Sequence, residues 1–269
     1  MQDNDAFDTL HWLLESGADE AMGDDPMNRL KAAVEPVPTP MAAKTISPAL
    51  ARTPTRGPAP EMPIADMIGQ AMALAGAATS LAELKAALES FDGCALKKNA
   101  TTTVFADGTP KGRILFIGEA PGRDEDRAGK PFVGRAGQFL DKMLAAIGLD
   151  RAQNVYITNI LNWRPPENRD PTPEEAALCL PFLRRHIELV DPLVIVLLGA
   201  VAAKHVMGVS EGILKSRGRW QEYCLGKRMV PVMPTLHPAY LLRQPAHKKL
   251  AWRDMQAVAA KLEAQRKLV

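Results

Sequence analysis

Hydrophobic positions along this chain alternate between two kinds of segment. Short apolar runs at Arg113 to Ile117, Asn154 to Thr158, Leu193 to Leu198 and Arg228 to Met233 have little or no polar face, the pattern of strands buried on both sides of a parallel sheet. Between and around them apolar residues recur at three- and four-residue intervals, as on one face of a helix. Helices are predicted from Ile64 to about Ala78, from Ser80 onward, over Gln138 to Ile147, from Thr172 to about Val190, over Gly199 to Val206 and over Ala246 to Leu268. Ser80-Leu81-Ala82-Glu83 and Thr172-Pro173-Glu174-Glu175 have the spacing of capping boxes, and Gly148 is placed to stop the helix before it. Arg217 to Arg228 reads as a hairpin excursion. The alternation predicts an α/β fold with a parallel sheet and helices on both faces.

The pattern changes before Ile64. Phe7, Leu10, Leu13 and Leu14 predict a short amphipathic helix over Ala6 to Ser16, able to dock on the core or on a protein partner. Residues 34–63 then carry eight prolines among alanines and threonines, a composition that cannot bury a core. The expected organisation is an N-terminal helical extension over 1–33, a disordered linker over 34–63 and a folded domain over 64–269. With 46% hydrophobic and 24% charged residues the chain has ordinary globular composition. No apolar run is long enough for a membrane span and no leader pattern opens the chain, so a cytoplasmic protein without membrane association is expected. The net charge of +2 neither demands nor forbids nucleic acid, so any basic footprint must be local. Cys94, Cys179 and Cys224 are too few and too scattered for a disulfide framework or a four-thiolate metal site.

Chemistry concentrates in three loops that leave the carboxyl ends of predicted strands, where open α/β sheets place their ligands. The first begins Gly118-Glu119-Ala120-Pro121-Gly122 and continues through Gly129-Lys130-Pro131-Phe132-Val133-Gly134-Arg135-Ala136-Gly137, longer than a plain connection requires. The second is Thr158 to Pro166 and contains Asn159. The third is Thr235 to Arg243 and contains His237. A carboxylate, an amide and an imidazole converging on one face can orient water, read a heterocycle edge and stabilise a leaving anion. That combination suits hydrolysis of a base from its sugar.

These motifs, with Glu125-Asp126, Arg164-Pro165-Pro166-Glu167-Asn168-Arg169 and His237-Pro238-Ala239, resemble the family 4 uracil-DNA glycosylases over roughly Phe91 to Arg253. The resemblance implies a monomeric three-layer α/β/α sandwich with a central four-stranded parallel sheet. It also implies excision of uracil from single- or double-stranded DNA, the base being flipped into a pocket first. By the same analogy Glu119 activates water and offsets positive charge on the sugar, while His237 stabilises the uracil anion. Asn159 holds the uracil edge and Phe132 stacks on the base, with Gly118, Ala120 and Glu125 completing the pocket. Gly122 stands where some related families place a tyrosine against the 5-methyl of thymine; Glu125 is expected to fill that space, and if it does not, deaminated purines become possible substrates. Pro238, Ala239, Leu241, Leu242 and Arg243 form the expected DNA-facing loop, with either leucine a candidate wedge. Arg164, Arg169, Arg243 and Lys248 are candidate phosphate contacts.

The family's iron-sulfur cluster sits on four cysteines. Here Cys94 and Cys179 match two of the ligand positions, while Phe91 and Trp163 occupy the other two and cannot ligate iron. No metal and no cluster are expected. The missing thiolates also motivate an alternative to an enzyme, a protein that binds uracil-DNA or abasic DNA without turnover.

Overall fold

The computed structural model describes residues 63–268. The expected helix over Ala6 to Ser16 and the proline-rich segment lie outside the described residues, apart from Pro63, which precedes the first helix. Two helices open the domain, α1 (Ile64–Ala77) and α2 (Leu81–Ser90). Ser80 accepts the amide of Glu83 at the start of α2, as its sequence spacing predicts; the Glu83 carboxylate bonds Thr79 rather than Ser80.

The sheet follows: β1 (Asp107–Gly108), β2 (Ile114–Gly118), β3 (Tyr156–Asn159), β4 (Val194–Leu198), β5 (Gln221–Leu225) and β6 (Arg228–Thr235). Its order is β1-β3-β2-β4-β6-β5. The four central strands are parallel and coincide with the four apolar runs. The expected four-stranded sheet is therefore extended by two strands. Both additions are antiparallel edges, β1 on β3 and β5 on β6. β1 escapes the hydrophobic pattern because it has only two residues, whereas β5 lies in the hairpin expected over Arg217 to Arg228 and alternates half-buried and exposed positions, as an edge strand with one solvated face does.

Side chains from the central strands alternate between two cores. Leu115, Ile117, Ile195, Leu197, Val230 and Val232 pack under α1, α2 and α5 (Pro173–Val190). Ile114, Phe116, Ile157, Val194, Val196 and Met233 pack under α4 (Arg135–Ala145) and α9 (Lys248–Arg266). The result is three layers. Short helices α3 (Arg123–Ala128), α6 (Ala200–Met207), α7 (Ile213–Ser216) and α8 (Pro238–Arg243) occupy the strand ends and connections. Parallel register sets Gly118 beside Asn159 and Leu198 beside Thr235, so the loops after β2, β3, β4 and β6 leave from one edge.

Candidate active site

Those loops enclose a cavity of about 570 Å³ lined by residues that include Glu119, Asn159, Phe132 and His237. All four central side chains expected from sequence are therefore brought together. Ala120, Glu125, Ala239, Arg169 and Arg243 line the same space.

Asn159 is the last residue of β3 and is 2% exposed, yet its Oδ1 has no hydrogen-bond partner among the described residues. A buried acceptor left unpaired is costly unless a ligand supplies the donor. Gly118, its neighbour across the ladder, lies beneath the cavity. A Cβ there would collide with Asn159 Oδ1 and come within 2.6 Å of the Phe132 ring, so only glycine lets amide and ring sit where they do.

Phe132 occupies left-handed backbone at φ 56°, a conformation uncommon for a side chain of this size. Its carbonyl accepts from Arg151 Nη2 at 2.6 Å, and the Pro131 carbonyl accepts from Nη1 of the same guanidinium at 2.8 Å. Gly137 leaves room for this turn, since a Cβ there would overlap the Phe132 carbonyl. The ring then lies 5.5 Å from the His237 ring, tilted by 33°. The strain is held in place by the loop and spent on orienting one aromatic face.

His237 caps the N-terminus of α8: its Nδ1 accepts the Ala239 amide at 3.1 Å. An accepting Nδ1 assigns the proton of the neutral ring to Nε2, leaving that atom as a donor. Burial, reinforced by the positive charge of Arg243, lowers His237 to about 4, so the ring is neutral across ordinary pH. Gly199, at φ 96°, makes way for it; a Cβ there would sit 3.2 Å from that of His237.

Glu119 follows β2 directly. Burial pushes its carboxyl up to about 7, and the charge of Asp170 pushes in the same direction. Asp170 is exposed, lines the cavity and was not singled out by the sequence reading. Its position is set by its neighbours: Arg169 Nη1 donates to the Asp170 carbonyl at 3.0 Å and the Arg169 guanidinium pairs with Glu175 at 2.6 Å. A local signal existed, because Thr172 to Glu175 is the capping box of α5 and fixes the turn before it.

Glu125 does more than fill space beside Gly122. Its carboxylate accepts the amides of Gly122 at 3.1 Å, Val133 at 2.9 Å and Gly134 at 2.9 Å, tying the two glycine-rich segments together. Asp126, part of the Glu125-Asp126 motif but given no role by it, is a further organiser. It is buried and accepts the Thr101 and Thr102 amides at 2.9 and 3.2 Å.

The DNA-facing assignments divide. Leu241 is 1% exposed in a cluster with Leu236 and Ala251, so it cannot act as a wedge, whereas Leu242 stands out at 38%. The helical turn explains the split, because adjacent positions on α8 point about 100° apart. Pro238 is likewise buried under the loop while Ala239 faces the cavity. Arg243 and Lys248 are exposed. Arg169 is committed to Glu175, and Arg164 donates to Asn168 Oδ1 at 2.7 Å, so both shape their loop in this structure.

The four positions matching the family's cluster ligands do converge in the interior. Phe91 is fully buried with its ring 5.4 Å from Phe182, and Trp163, 1% exposed, donates from Nε1 to Thr103 Oγ1 at 3.0 Å. Cys94 and Cys179 are both buried, and their interaction holds Cys94 below and, with burial, pushes Cys179 above the usual thiol range. Two thiols and two packed rings do not fit a four-thiolate cluster. Cys224 is exposed on β5.

Comparison with known proteins agrees with this geometry. The Uracil DNA glycosylase superfamily model matches residues 105–256. A type-4 uracil-DNA glycosylase of Thermotoga maritima is 46% identical over 58% of this chain and 79% of its own length. That of Archaeoglobus fulgidus is 44% identical over 62% and 85%, and that of Sulfurisphaera tokodaii 40% identical over 66% and 83%. The loops, cavity and matched span coincide, and the chain belongs to the uracil-DNA glycosylase superfamily, among its type-4 members.

Proposed function

We propose that this protein hydrolyses the N-glycosidic bond of uracil in DNA and leaves an abasic site. The observation that carries the reading is the unpartnered Asn159 Oδ1, buried in the cavity that Glu119 and His237 also line. Uracil flipped from the stack offers N3–H to that acceptor and O4 to the amide's N–H donors; cytosine presents an acceptor and an amino group at the same places and leaves both pairs mismatched. Phe132 supports the ring of the bound base. As the C1′–N1 bond breaks, negative charge gathers on the uracil carbonyl oxygens, and the neutral His237 donates from Nε2 without carrying a charge of its own. Ionised Glu119 offsets the positive charge on the sugar and accepts a proton from the attacking water. Glu125 and Gly122 shape the C5 side of the base, while Leu242 fills the gap left in the stack and Arg243 meets backbone phosphate.

The chemistry is proposed to run without an iron-sulfur cluster. Phe91 and Trp163 substitute for the cluster's role of holding loops together, each burying roughly 150 to 250 Å² of aromatic surface.

Single-turnover uracil release from an oligonucleotide, with protein in excess, tests the assignment. His237→Ala is expected to lower the rate at least about 10²-fold with little loss of binding, and Asn159→Ala to weaken both rate and binding. Binding of uracil-DNA by the parent chain with no release of uracil would replace the glycosylase by a non-turnover binder.

A further inference from the structure

Beside the active-site cavity lies a second, shallower groove of about 220 Å³ between α4, α8 and α9. Phe139, Leu241 and Met255 form its apolar floor, Trp252 is one wall, and Lys142 and Lys248 are its charged residues; no carboxylate lines it. Lys248 Nζ sits 5.0 Å from the centre of the Phe139 ring, which draws the ammonium over the groove's edge. Trp252 is 42% exposed, an unusual state for a large aromatic residue that has packing available beside it.

The groove is continuous with the loop assigned to DNA. Leu241 lines the groove, while Tyr240 and Arg243 on the same short helix line the catalytic cavity. From Gly226 to Arg253 the chain contains no Asp or Glu, and Arg243, Lys248, Lys249 and Arg253 are all exposed. Lys248 and Trp252 are four residues apart on α9 and share a face. Basic side chains along a track with an exposed aromatic ring beside them form the arrangement that takes an unpaired nucleotide strand, phosphates on the cations and a base on the ring.

We infer that the α4–α9 groove binds the single strand flanking the flipped nucleotide, with an unpaired base stacked on Trp252 and its phosphates on Lys142 and Lys248. The inference rests on the uracil-DNA reading and extends it. A duplex cannot use the ring in this way, because its bases present no free face. The site therefore serves uracil met in an unpaired strand, where bases flanking the flipped nucleotide have free faces.

The test uses the full chain and a uracil-free oligothymidine strand, with the same strand in duplex form as comparison. Trp252→Ala is expected to weaken binding of the single strand about tenfold and that of the duplex much less, with Trp252→Phe restoring most of the loss. Lys142→Gln with Lys248→Gln is expected to flatten the dependence of log affinity on log salt by about 0.7 per lost phosphate contact. Unchanged single-strand affinity in a folded Trp252→Ala protein overturns the inference, as expected if the groove holds an acidic peptide instead. Equal loss on both strands overturns it too, because stacking would not be the contact removed. Excision by the parent chain is measured separately. Release of uracil with no Trp252 effect removes the groove alone, and failure to release uracil removes the reading beneath it.

Discussion

Glu119→Gln is expected to slow excision and to stabilise the fold, and both effects should grow with pH. Folded Glu119 titrates near 7, against 4.5 for an unperturbed carboxyl, because burial first and Asp170 second disfavour its charge. The folded state therefore holds this proton more tightly than the unfolded chain does. Stability then falls as pH rises from about 4.5 to about 7 and is level above that, so the native protein bears the full cost of the ionised carboxylate at pH 8. The distance from 4.5 to about 7 sets an upper bound of about 3.4 kcal/mol. The side chain is only half-buried and water screens it, so about 1 to 2 kcal/mol is the expected gain for the Gln variant at pH 8, or roughly 2 to 8 °C in Tm for a domain of this size. At pH 5 the gain should fall to about a quarter of that value. Activity moves the other way. With the ionised fraction rising from about 9% at pH 6 to about 91% at pH 8, the parent's single-turnover rate at subsaturating protein, which reports the free protein, should climb about tenfold. The Gln variant should be at least about 10²-fold slower and flat over that range. Thermal unfolding at pH 5 and pH 8 and rapid-quench excision from pH 5 to 9 measure both sides. A parent profile without this rise, a Gln variant that cleaves as well as the parent, or a Tm difference independent of pH would each refute the reasoning. Asp170→Asn should move the midpoint of the parent's profile to lower pH by removing the neighbouring negative charge.

Other expectations follow from the same geometry. Leu242→Ala should leave stability within about 0.5 kcal/mol of the parent and reduce excision from duplex, whereas Leu241→Ala should cost about 2 to 5 kcal/mol in chemical denaturation because it opens a cavity beneath the loop. The reverse result would reassign the wedge. Purified protein should be colourless and free of stoichiometric iron by elemental analysis; absorption near about 400 nm with matching iron would show that a cluster forms despite Phe91 and Trp163. Phe91→Ala should destabilise the domain by about 3 to 5 kcal/mol, the scale for truncating a fully buried aromatic ring.

Periodicity alone determined the four central strands and their parallel sense, because a strand covered on both faces must be apolar throughout and its crossover helices must be amphipathic. It also placed Glu119, Asn159 and His237 on loops leaving the same edge, since parallel strands end together. Tertiary structure alone decided matters that depend on neighbours distant in sequence. The edge strand β1 is defined by its partner rather than by its own composition, and the hairpin holding β5 takes its place in the sheet only through β6. Leu241 and Leu242 are identical in type and adjacent in sequence, and only the packing of Leu241 against Leu236 and Ala251 separates core from wedge. Phe132 reads as an ordinary loop aromatic until Arg151, Gly118 and Gly137 are seen to hold it in left-handed backbone beneath the base pocket. The pKa values of Glu119 and His237 likewise belong to no local motif, because burial and the charges of Asp170 and Arg243 are properties of the assembled cavity.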